Sequence, residues 1–300
     1  MSNTTANLTY DAIGNQEDLL DIITNISPTE TPMFSAFGKS TAKSTYHEWL
    51  TDSLATATSN AAIEGADYSF AVRATRARLG NYTQIFETPV EVSDTQRVVN
   101  SAGVEDEYAF QMAKALKEHA RDIEYALAST ASTGNSGASG TARTLKGVMS
   151  WITSVNETGT ASGTSETLTE TMFNDALQDI WANGGRPDTA YVNGWNKRKI
   201  SAFTDSGTKF IQATDKEIVN AVDVYDSDFG RIKIKVDRYM NAAQLALLQS
   251  DMWKVAILRA TKNIEVAKVG SATRGVIETE LTLESRNQEA SGKITQLATS

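Results

Sequence analysis

Apolar positions along this chain recur with two periods, and the change from one to the other divides it. Residues 44–54 (STYHEWLTDSL) alternate in strand fashion, with Tyr46, Glu48 and Leu50 on one face and His47 and Trp49 on the other. Residues 79–86 (LGNYTQIF) do the same, Tyr82, Gln84 and Phe86 opposing Thr83 and Ile85. Between them, residues 55–77 hold small and hydroxyl side chains, Glu64, Asp67, Arg73 and Arg76, with only Ile63, Tyr68 and Phe70 as large apolar groups. Two strands with such a tip cannot build a core of their own, because an isolated hairpin is marginal in water. An arm of this kind needs a support, and a second copy of the chain is the expected one.

From Val104 the period becomes three and four. Tyr108, Met112, Ala115, Leu116, His119, Ile123 and Leu127 form a stripe with charged residues largely between them, predicting a helix over residues 104–129, about 39 Å long. His119 on that stripe reads as a packed, hydrogen-bonded core histidine. Upstream, Leu19, Leu20, Ile22, Ile23 and Ile26 make a shorter helical stripe, ended by Pro28 and Pro32. Residues 129–143 (STASTGNSGASGTAR) read as a flexible linker. Thr167 to Glu170 has the spacing of a capping box, opening a helix through Phe173 and Ile180 that Gly184, Gly185 and Pro187 stop. A short strand at 188–192 and a helix at 195–203 follow.

The remainder is mostly strand. Ile232, Ile234 and Val236 alternate with Arg231, Lys233 and Lys235; residues 245–248, 253–258 and 264–269 are short apolar runs. Ile277, Thr279, Leu281 and Leu283 alternate with Glu278, Glu280 and Glu284, which predicts one acidic strand face. Segregated helices and antiparallel strands make the class α+β.

Composition narrows the chemistry. A formal net charge of −9 over 300 residues argues against a chain that grips nucleic acid. With no cysteine there is no disulfide framework, thiolate metal site or cysteine nucleophile. The first residues carry no signal-peptide pattern, and no apolar run is long enough to span a membrane. His47 and His119 are the only histidines, too few for a histidine cage. Asp226, Asp228 and Gly230 resemble a fragment of a calcium loop, but the missing ligands favour a turn. No cofactor is expected. Arg73, Arg76 and Arg78 have two readings: a solvated loop in register with Glu64 and Asp67, or intersubunit ion pairs at the rim of the arm.

The order of parts and the wording resemble the major capsid proteins of tailed phages with the Hong Kong 97-type fold, within the family typified by phage SU-ten. The phrases are ISPTETPMFSAFGK (26–39), TYHEWLTDSL (45–54), RLGNYTQIF (78–86), KEHARDIEYAL (117–127), VDVYDSDFGRIKI (222–234) and ETELTLESRNQEASGKITQL (278–297). The resemblance implies an N-arm at 1–39 and an extended E-loop hairpin at 40–94. It implies a peripheral domain with its spine helix at 95–144, an axial domain at 145–240, and antiparallel peripheral-domain strands at 241–300. Tyr46, Trp49, Glu64, Asp67, Arg73, Arg76, Arg78, Tyr82 and Phe86 become candidate E-loop contacts between subunits. Leu19, Leu20, Ile22 and Ile23 become N-arm contacts, and Tyr108, Met112, Leu116, His119, Ile123 and Leu127 the core of the spine.

The implied function is a structural, non-enzymatic subunit of an icosahedral head, assembled in the host cytoplasm into hexamers and pentamers that enclose DNA. Its implied partners are further copies of itself, a scaffolding protein, a portal and a decoration protein, with no membrane. With the spine beginning near residue 100, a large N-terminal scaffolding segment is not expected. The alternatives are a nanocompartment shell of the same fold and, from a different class, a soluble carbohydrate-active or binding protein.

Overall fold

The computed structural model describes residues 30–65, 67–68, 70, 75–99, 104, 106–161, 164–203 and 223–299. Leu19, Leu20, Ile22, Ile23 and Arg73 lie outside them. The architecture is mixed α+β, built on two sheets.

The first sheet has four strands in the order Gly38–Thr41, Trp253–Val266, Ala272–Ser285 and Gln84–Ser93. The two central strands, 14 residues each, form an antiparallel hairpin. Two of the three expected short apolar runs, 253–258 and 264–269, thus belong to one strand and the turn that follows it. The long helix Glu107–Ala128 lies on this sheet. It starts where Asp106 accepts a hydrogen bond from the Tyr108 amide at 3.0 Å, and its 22 residues span about 33 Å.

Its buried ridge runs through Ala115, His119, Ile123 and Leu127, spaced by four. Tyr108 and Met112 are half-buried, and Leu116, expected in the core, is 51 % exposed. Ala115 takes the sheet-facing position and turns its neighbour Leu116 aside, because adjacent helical residues diverge by about 100°.

The second sheet has six strands, ordered Val224–Ser227, Gly230–Val236, Thr189–Val192, Leu245–Leu248, Gly292–Thr295 and Asn156–Thr158. It is mixed: Thr189–Val192 runs parallel to Gly230–Val236, and Gly292–Thr295 parallel to Asn156–Thr158. The expected purely antiparallel returning strands are therefore shared between two sheets. Helix Glu170–Ala182 buries Phe173, Ala176, Leu177 and Ile180 against strand residues such as Val192 and Leu245. Its cap is Thr169, whose hydroxyl accepts from the Met172 amide at 3.3 Å, two residues later than the box spacing predicts.

Residues 129–143 are more ordered than their composition suggests. Thr133–Asn135 pairs with Thr144–Lys146, and Ala138 bridges Thr141. The acidic strand face also differs from expectation, since Glu280 and Glu284 are buried. The Asp226–Gly230 segment is a hairpin turn, with Gly230 at φ 133° and Arg231 beside Asp226 at 3.5 Å.

Candidate functional site

Strands Tyr46–Thr51 and Ala77–Tyr82 pair antiparallel as the base of a long hairpin, with Tyr46 opposite Tyr82 and their rings 4.6 Å apart. Gly80 leaves room for the Tyr46 ring: a Cβ there would come within 2.7 Å of it. The inner face carries His47 and Trp49. Trp49 packs on Trp151 with ring centroids 5.5 Å apart, so this expected intersubunit contact belongs to the chain's own core. Asn81 is buried and rivets the root. Its Nδ2 donates to the carbonyls of Lys146 (3.0 Å) and Leu283 (2.8 Å), and its Oδ1 accepts from the Lys146 amide (2.8 Å).

Beyond the root the arm has no apolar cover among the described residues. Leu54, Ile63, Tyr68 and Phe70 are 83–99 % exposed, whereas large apolar side chains elsewhere on the hairpin are at least part-covered. Arg78 pairs with Glu48 at 3.1 Å and Arg76 with Asp52 at 3.9 Å, both on the surface. These arginines therefore brace the hairpin itself and are not in register with Glu64 and Asp67. Those two acids have no ion-pair partner among the described residues. Phe86 departs from its expected role: the chain bends at Thr83, leaves the hairpin and enters the first sheet, where Phe86 is buried against His119.

A charged lattice anchors the root from below. Glu280 Oε1 accepts from the Thr83 hydroxyl at 2.7 Å and Arg143 Nη2 at 2.6 Å, while its Oε2 accepts from Arg259 Nε at 2.8 Å. Burial alone would raise its pKa, but the Thr83 hydroxyl and the two guanidiniums hold it below the usual carboxylate range. Glu284 repeats the arrangement with Arg286 (2.9 Å), Ser40 (3.0 Å) and His47 (3.4 Å). Three glutamates on one strand signal such a lattice, but nothing in sequence spacing selects Arg143, 137 residues away from Glu280.

Glu124, on the long helix, is a second anchor that no sequence pattern marked. It is fully buried and accepts from the amides of Met33 (2.6 Å) and Phe34 (2.8 Å), the first turn of the short helix Pro32–Ala36. Burial, assisted by Asp237, raises its pKa to about 7 against the opposing pull of the two amides and Lys39. His119 sits between Thr88 (3.0 Å) and Thr279 (2.8 Å), and burial lowers its pKa, so it is a neutral core residue at pH 7. Among the described residues no three His, Cys, Asp or Glu groups converge on a metal position. What this geometry offers is an anchored arm whose apolar end is uncovered among the described residues.

Residues 2–298 match the model of a single family, described as SU10 major capsid protein. The chain belongs to the SU10 major capsid protein family. The capsid protein is similar to the major capsid protein of Escherichia phage Phieco32, 27% identical over 341 residues and covering 97% of both chains. Its fold is that of phage-type capsid shells. It matches the capsid of a native GTA particle (TM-score 0.70, 11% identity, 97% of this chain and 98% of that one). It also matches the capsid of cyanophage A-1(L) (TM-score 0.69, 13% identity, 98% and 99%). An encapsulin from Synechococcus elongatus shares the fold at a TM-score of 0.60 and 8% identity, over 95% and 93% of the chains. Fold alone leaves the nanocompartment reading open; the whole-chain family match decides for the major capsid protein of a tailed phage, a structural component of the virion head.

Proposed function

We propose that this capsid protein closes an icosahedral head as hexamers and pentamers, each copy laying its hairpin arm on the next. Residues 44–82 act as the E-loop, Glu107–Ala128 as the spine, and the six-stranded sheet as the body of the axial domain. The unsupported end of the arm carries this reading. Leu54, Ile63, Tyr68 and Phe70 stand in solvent on a hairpin whose root is rigidly held. A contact from arm to body between copies is heterologous, and such contacts close rings when the rotation allows. Glu64 and Asp67 orient the arm, while Arg76 and Arg78 keep its two strands together. A scaffolding protein, a portal and a decoration protein are its further partners, and assembly takes place in the host cytoplasm. The net charge of −9 suits a wall from which enclosed DNA must slide. The protein performs no catalysis.

The test is to replace residues 55–76 by a short Gly-Ser turn and examine the product by electron microscopy and far-ultraviolet circular dichroism. Shells should vanish while the dichroism of the remaining subunit is retained. Shells of normal size from the shortened chain would sink the proposal.

A further inference from the structure

An open apolar groove of about 710 Å³ runs between the first half of the long helix and the hairpin of the first sheet. Tyr108, Met112, Ala113, Leu116, Asn263 and Ile277 line it. Leu116 is half-exposed there, and the Tyr108 hydroxyl is buried without a hydrogen-bond partner among the described residues. An apolar recess of this size marks a surface that something covers.

Reach and length select the cover. The short helix Pro32–Ala36 is pinned by Glu124 to the same long helix, so the chain that precedes it starts beside the groove. From Glu124 back to Leu116 is about 12 Å of helix, and the six steps from Ile26 to Pro32 reach about 20 Å when extended. Pro28 disfavours helix at its predecessor, which bounds the apolar pattern of residues 17–26; ten residues in helical form would be about 15 Å long. The groove's helical wall, Tyr108 to Leu116, is about 12 Å. Leu19, Ile22, Ile23 and Ile26 share the spacing of one helical face, with Leu20 beside them.

We infer that the groove between the long helix and the first sheet is the seat of the chain's own residues 17–26, apolar face inward. The N-terminal segment then completes its own subunit's core before it is offered to any neighbour.

The absence of cysteine makes the test clean. The full chain carrying Ile22→Cys with Leu116→Cys is oxidised beside a control carrying Ile22→Cys with Arg231→Cys on the second sheet. Non-reducing electrophoresis and intact mass should show an intrachain disulfide in the first pair alone. Crosslinked dimers, equal crosslinking in the control, or no crosslink would each overturn the assignment. A second measurement leaves the groove intact: Ile22→Asp with Ile23→Asp should speed hydrogen exchange of amides 112–118 about tenfold and spare 123–128. Unchanged exchange at 112–118 overturns it as well. Neither readout depends on whether shells form.

Discussion

Replacing Glu124 by Gln should remove most of the subunit's loss of stability between pH 5 and pH 8. The carboxylate is fully buried, and burial raises its pKa from an ordinary 4.5 to about 7. A group raised in the folded state contributes stability that is complete below its unfolded value and lost as pH climbs to and through its folded value. Here that window runs from 4.5 to about 7, and at about 1.4 kcal/mol per pH unit it amounts to about 3 kcal/mol. The Gln variant cannot ionise, so it keeps whatever stability it has across the window. It also loses something at every pH, because its NH₂ faces one of the two amides that Glu124 accepts from; the cost is about 1–3 kcal/mol for one unsatisfied buried group. The two curves should therefore converge, or cross, as pH rises. Urea midpoints of the unassembled subunit, taken at half-unit steps from pH 5 to 8.5, give the difference directly. Glu280, Glu284 and His119 titrate in both proteins and cancel in the comparison, whereas Asp237, whose charge helps raise Glu124, belongs to the effect being measured. A difference between variant and wild type that stays constant across this range would refute the assignment of the buried charge.

Three further outcomes follow from the geometry. Trp151→Ala should cost about 3–5 kcal/mol and loosen the arm, read as a lower melting temperature together with faster proteolysis after Arg76 or Arg78, because it removes the partner of Trp49. Glu280→Ala should cost about 3–5 kcal/mol by leaving the Arg143 and Thr83 contacts unanswered in a buried setting. Because the Glu280 pKa is lowered, the wild-type advantage over this variant is present above the ordinary carboxylate value and should shrink as acid protonates it, which paired melts at pH 3.5 and 6.5 would register. Gly185→Ala should destabilise by about 1–3 kcal/mol in chemical unfolding, since its Cβ would fall 2.6 Å from the Ala290 backbone; Gly184→Ala beside it meets no neighbour but must hold φ +83°, so its penalty is purely conformational.

Periodicity exposed most of the elements. The alternation in 44–54 and 79–86 located a real hairpin, and the stripe from Tyr108 to Leu127 located the long helix within three residues at its start. What the stripe could not reveal was which ridge faces the sheet, because Ala115 and Leu116 are adjacent and only the position of the first sheet chooses between them. Phe86 reads as an arm residue for a similar reason: its alternation continues smoothly through Thr83, while the contacts that Glu280 and Arg143 make at the Thr83 bend come from far away in sequence. The linker reading of 129–143 trusted composition, yet Arg143 and the Lys146 amide tie that segment to residues far away in sequence. The arm's exposed tip was legible because it lacks anything to bury, and that absence is local. Glu124 was not, since a lone glutamate on a helix looks like any solvated one until its amide partners arrive from residues 33 and 34.

The path of the chain between its two sheets has a mechanical meaning. It leaves the first sheet after the long helix, fills five strands of the second, returns through Trp253, and ends with Gly292–Thr295 back in the second. Three covalent crossings thus join the two halves, and the Trp253 indole, donating to Ser291 at 2.9 Å, spans two of them. A pull that tries to part the halves is shared by three connections among the described residues, instead of being carried by one. For a wall stretched by what it contains, the subunit behaves less like beads on a string than like a laced seam.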